Sequence, residues 1–73
     1  MKITLESTAK IVSLDGIPAR VWEGKTASGI AVHAYVTRIA VARDADCSQF
    51  ESELQEHRAP SPEVAAIPAR LVL

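Results

Sequence analysis

Aromatic side chains, cysteine and a dominant charge are all scarce in this chain. Only Trp22, Tyr35 and Phe50 are aromatic among 73 residues, so a core must be assembled from Val, Ile, Leu and Ala and will be thin. The single cysteine, Cys47, excludes an internal disulfide, the staple on which small secreted domains commonly depend. Eight basic against nine acidic residues leave a net charge of -1, which removes the broad positive field that gathers nucleic-acid phosphates. No apolar run is long enough for a membrane span or a secretory leader. A cytoplasmic setting is the expectation, and the lone Cys47 is compatible with it.

What is present is short. A chain of this length forms one domain, residues 1–73, near the size at which a single core barely offsets the entropy of ordering the backbone. With no disulfide and few metal ligands, self-association is the remaining device, and a homo-oligomer is expected.

The clearest local signal is Leu14-Asp15-Gly16-Ile17, because Asp-Gly between two apolar-patterned runs specifies a two-residue β-hairpin. The implied register sets Leu14 opposite Ile17, Val12 opposite Ala19 and Lys10 opposite Val21. Ile11, Ser13, Pro18, Arg20 and Trp22 then share the other side of the sheet. The first strand runs from about Lys2 to Leu14. Its apolar residues change parity between Leu5 and Val12, which predicts a bulge around Ser7-Thr8. The second strand covers Ile17 to Glu23, and the glycine-bracketed stretch Gly24–Gly29 forms a loop. A third strand covers Ile30 to Thr37, with a phase shift near Arg38.

From Asp46 the period becomes helical. A capping box formed by Asp46 with Gln49, or by Ser48 with Glu51, opens a helix that carries Phe50 and Leu54 on a narrow stripe and ends before Pro60. Ser61-Pro62-Glu63 repeats the start signal for a short helical turn through Val64 and Ala66, and Ala69 to Leu73 reads as a short strand. The expected class is α+β: a three-stranded antiparallel meander covered by one α-helix, with a short helical turn and a C-terminal strand. Ile17-Pro18-Ala19-Arg20 recurs as Ile67-Pro68-Ala69-Arg70, which is best explained by proline holding the preceding isoleucine extended at a strand start.

Four constellations bear on chemistry. Ala19 to Thr26 fits a relaxed phosphate-loop pattern around Gly24-Lys25-Thr26. The residues before that glycine read as strand, however, and Ser28-Gly29 stands where the helix should begin. Arg20, Trp22, His33, Tyr35 and Arg38 form the candidate ligand-binding set, with the rings stacking on a base and the arginines countering phosphate. The competing reading is that Trp22 and Tyr35 cover the second face of a small sheet. His33, His57, Cys47, Glu53 and Glu56 lack the spacing of a zinc site. Cys47 in the first turn of a helix has the position of an activated thiolate but lacks a legible base beside it. No acid–base or nucleophile–base pair is readable, so the chain is expected not to be an enzyme.

Lys2 to Thr8, Gly16 to Gly24, Tyr35 to Val41 and Glu53 to Glu63 together resemble a group of small accessory proteins encoded by tailed phages and prophages. The resemblance spans nearly the whole chain and carries no reaction with it. It implies a non-enzymatic, counter-defence type of protein that acts by binding. The partner would be a signalling nucleotide of host immunity, to be sequestered, or a host immune protein, to be blocked. The alternative is a structural or regulatory interaction module without a small-molecule ligand.

Overall fold

A computed structural model of the chain describes residues 1–71. Three strands form the antiparallel meander, β1 (Ile3–Leu14), β2 (Ile17–Thr26) and β3 (Ala31–Val36). A helix α1 (Cys47–Leu54), a single helical turn α2 (Pro62–Ala65) and a two-residue strand β4 (Arg70–Leu71) follow. β4 adds to β1 in parallel, giving the sheet order β3-β2-β1-β4 and an α+β architecture. Val72 and Leu73, the end of the strand expected from Ala69 to Leu73, lie outside the described residues.

The reversal is built as the dipeptide dictates. Asp15 and Gly16 both take positive φ, 52° and 88°, the combination of a type I′ turn whose twist matches that of its strands. Leu14↔Ile17, Val12↔Ala19 and Ser13↔Pro18 pair accordingly.

Further along, the ladder breaks. Ser7 pairs with Trp22 and Ile11 with Arg20, so Thr8, Ala9 and Lys10 stand against Val21 alone. The expected pairing of Lys10 with Val21 is therefore replaced. The fully buried Thr8 donates its hydroxyl to the Val21 carbonyl at 2.6 Å and accepts from the Lys10 amide at 3.2 Å. Its own carbonyl accepts from Arg20 Nη1 at 2.7 Å. The hydroxyl and the carbonyl of Thr8 thus both acquire partners, as buried polar atoms require.

The bulge sorts β1 into its two faces. Val12, Ala19, Val21 and Val64 form the buried cluster, with Leu14, Tyr35 and Ile67 packed against it. Val64 comes from α2, whose Ser61 caps the turn by accepting from the Val64 amide, with Pro62 in the first turn. α1, by contrast, buries none of its residues. The expectation that one helix covers the apolar layer is corrected: the short α2 lies on that layer, and α1 stands on the opposite, Trp22 side of the sheet. A stripe of only Phe50 and Leu54 gives α1 too little apolar surface to compete for the valine face.

Gly24 sits within β2. A Cβ there would come within 1.6 Å of the Thr4 carbonyl oxygen, so glycine is required by the close approach of β1. Gly24-Lys25-Thr26 are strand residues, which removes the phosphate-loop geometry.

Candidate functional site

Between the outer face of the sheet and α1 lies a cleft of about 490 Å³. Ile11 from β1, Pro18, Arg20 and Trp22 from β2, and Val36 from β3 form its floor. Phe50, Glu53 and Leu54 from α1 face them, and Thr37, Arg38 and Ile39 close one side. The alternation of β2 explains the floor, since Pro18, Arg20 and Trp22 all fall on the parity opposite Ala19 and Val21. The start of α1 is capped by Asp46, whose Oδ1 accepts from the Ser48 amide at 3.0 Å and the Gln49 amide at 3.3 Å. The Ser48 hydroxyl donates to the same oxygen at 2.7 Å, and these bonds hold the Asp46 carboxyl below its usual range.

The cleft is an apolar slot carrying two guanidinium groups and one carboxylate. A volume within the ordinary range of small-molecule pockets, aromatic lining and a few charged groups are the attributes of a binding site. Its two cations differ in freedom. Arg20 already spends one donor on the Thr8 carbonyl and so supports the bulge, whereas Arg38 is exposed.

The five residues singled out from sequence do not share a surface. Arg20, Trp22 and Arg38 line the cleft. His33 and Tyr35 pair with Glu23 and Val21 and therefore project from the opposite, valine side. Tyr35 packs against the buried cluster, and His33 meets it edge to face at 5.7 Å between ring centres. The assumption that the polar parity of β3 joins Trp22 is thereby overturned. Ala34 is the residue opposite Trp22, so it is the apolar parity, Val32, Ala34 and Val36, that shares the Trp22 face. Phe50 and Leu54, expected beneath the sheet's other side, are what Trp22 faces instead.

A second cluster escaped the sequence reading. The Glu23 side chain, 12% exposed, accepts from the Ser61 amide at 3.0 Å and from the Ser61 hydroxyl. Arg58 places Nη2 3.3 Å from the same carboxylate and Nε 3.5 Å from Glu6. The Ser61 bonds, with a smaller contribution from the Arg58 charge, hold the Glu23 carboxyl below its ordinary value against a modest opposing effect of burial. The cluster fastens the segment between the helices to the sheet, assisted by the bridge of Arg58 to Thr8 and by the Ser7 hydroxyl donating to the Glu56 carbonyl. The partners lie 38 residues apart in the chain, and no local spacing signals such a pairing.

Cys47 is exposed. Among the described residues no three metal-capable side chains converge, and no helix is long and apolar enough to cross a membrane. No protein-family description, curated protein or solved structure matches this chain.

Proposed function

We propose that this chain acts by binding rather than catalysis, as a self-associating phage accessory protein of the counter-defence kind at work in the host cytoplasm. Its ligand is a small signalling nucleotide held in the Trp22 cleft. The observation that carries the reading is the convergence of Trp22 and Phe50 with Arg20 and Arg38 around one apolar slot. A base is flat and apolar on its faces and a phosphate is anionic, so a slot with aromatic walls and guanidinium groups has complementary chemistry. Glu53 in the same lining selects against a ligand with negative charge along its whole length.

A second reading has its own support. Ile11, Ile39 and Leu54, all more than 40% exposed, line the same cleft and would also suit docking of a host protein's side chains.

Isothermal calorimetry against a panel of cyclic and ADP-ribose-type nucleotides separates the two. Micromolar or tighter binding to a panel member is expected, lost in Trp22→Ala and weakened at least tenfold in Arg38→Ala. Arg38 is the sharper probe because Arg20→Ala would also free the Thr8 carbonyl. Heat near zero across the panel would remove the nucleotide reading. Recovery of one stoichiometric host protein, abolished by Leu54→Asp, would put the second in its place.

A further inference from the structure

The two edges of this sheet are finished differently. β1 is covered along its later half. Arg58 bridges to Thr8, with the Ala9 amide donating to the Arg58 carbonyl at 2.9 Å and the Arg58 amide to the Ser7 carbonyl at 3.1 Å, and β4 pairs at Ser13 and Leu14. Its uncovered start is flanked by the charges of Lys2 and Glu6. β3, at the other edge, has no such protection. Among the described residues no backbone group outside β2 bonds to it, and Ala31-Val32-His33-Ala34-Tyr35-Val36 contains no proline, lysine, glycine or carboxylate. Natural sheets blunt their edges with such residues or with bulges, because a bare edge is a template for another strand.

The register shows which groups are free. Leu14↔Ile17 closes a two-residue hairpin and is a hydrogen-bonded pair, so by alternation Ala19 points its backbone groups at β1 and Arg20 points its own at β3. Arg20↔Val36, Trp22↔Ala34 and Gly24↔Val32 are then the bonded pairs of the second ladder. The N–H and C=O groups of Ala31, His33 and Tyr35 are therefore directed away from the sheet.

We infer that β3 is a self-association edge: a second copy of this chain pairs with it antiparallel about a two-fold axis at Ala34, joining two four-stranded sheets into one of eight. The sequence of the strand is self-complementary in that register. Ala34 meets its own copy at the position of closest approach, where a small side chain fits. Val32 meets Val36 on the Trp22 side, and His33 meets Tyr35 on the other. Neither side of the seam places like charges opposite one another. The alternative axis at His33 would set two imidazoles face to face. Occupation by a second copy rather than an unrelated strand follows from this internal match and from the absence of charge on the strand, which leaves nothing to select a charged partner.

The inference rests on the edge and not on the cleft, and the experiments keep them separate. Sedimentation of the intact protein should give twice the 7.8 kDa chain mass, falling toward the single-chain mass on dilution. In a Cys47→Ser background, Ala34→Cys should form an intermolecular disulfide under mild oxidation, because directly opposed residues of a non-hydrogen-bonded pair lie within disulfide reach. Ser28→Cys in the same background, on the β2–β3 loop, should not. His33→Pro removes an outward N–H without touching the β2 ladder and should yield a folded monomer by circular dichroism, with nucleotide heat unchanged. A single-chain mass at every concentration, cross-linking of Ser28→Cys without Ala34→Cys, or a folded His33→Pro protein that stays dimeric would each overturn the proposal.

Discussion

Glu23 shows how one side chain acquires a structural role that its neighbours in sequence do not announce. On the strand it is an ordinary alternation residue. In the fold it accepts both donors of Ser61 and faces Arg58, and these contacts depress its carboxyl below the ordinary 4.5. A carboxyl whose folded value is lowered binds its proton more weakly in the native than in the unfolded state. Its contribution to stability is therefore complete above about pH 4.5 and is lost as pH falls through the folded value. Glu23→Gln should lower the thermal midpoint at neutral pH, and the difference from the parent protein should shrink steadily below pH 4.5. A difference that stays constant down to pH 3 would show that the ionised carboxylate contributes nothing. Thr8 and Arg20 have a comparable kind of role, since each satisfies a backbone group released by the bulge. For that reason Arg20 serves the architecture first and any ligand second.

At the scale of elements the two helices invert what their lengths suggest. α1 is twice as long as α2, eight residues against four, yet buries none of them, whereas α2 supplies Val64 to the core. Isolated helices this short are unstable in water, so each persists through its cap and its packing. Both caps are signalled in sequence, Ser61 for α2 and either Asp46 or Ser48 for α1, and the structure uses Ser61 and Asp46. Their consequences differ. Removing a capping side chain costs about 1 kcal/mol. Asp46→Ala should expend that cost locally, as faster amide exchange over residues 47–54 with little change in the global midpoint. Ser61→Ala also removes the hydroxyl's bond to Glu23, while the Ser61 amide keeps its own, and lowers the global unfolding midpoint. Equal global effects of the two substitutions would contradict this division.

For the whole molecule the governing quantity is how little is buried. Val12, Ala19, Val21 and Val64 are the buried apolar residues among those described, while Ile3, Ile11, Ile17, Ile30, Ile39 and Leu54 remain exposed. A full valine side chain buried from water stabilises by about 2 kcal/mol, so one member of this cluster is a sizeable part of the marginal stability of a small domain. Val64→Ala should therefore lower the urea midpoint sharply while leaving the slope of the transition nearly unchanged. It should act as a core substitution despite lying in a four-residue helix. A midpoint within error of the parent's would mean that the valine layer is not the centre of stability. The apolar surface left over belongs to the Trp22 cleft and the flanks of the sheet, where a ligand or a second copy has most to gain by burial.

Much of this was legible in the sequence because it is local. Asp-Gly fixes the hairpin through the positive φ that both turn residues must adopt, Ser-Pro-Glu opens α2 and Asp46 opens α1. The parity change along β1 announces the bulge, whose position from Thr8 to Lys10 differs only slightly from the expected Ser7-Thr8. Alternation also placed Arg20 and Trp22 together correctly. Which parity of β3 joins them was decided only when the strands paired, and the answer separated His33 and Tyr35 from the cleft. The choice of face for each helix, and the fastening of Arg58 and Ser61 to Glu23, likewise belong to the tertiary structure. Periodicity tells each element which of its sides is apolar, but the energy that selects among opposing surfaces resides in contacts between residues far apart in the chain, and those exist only after the sheet has formed.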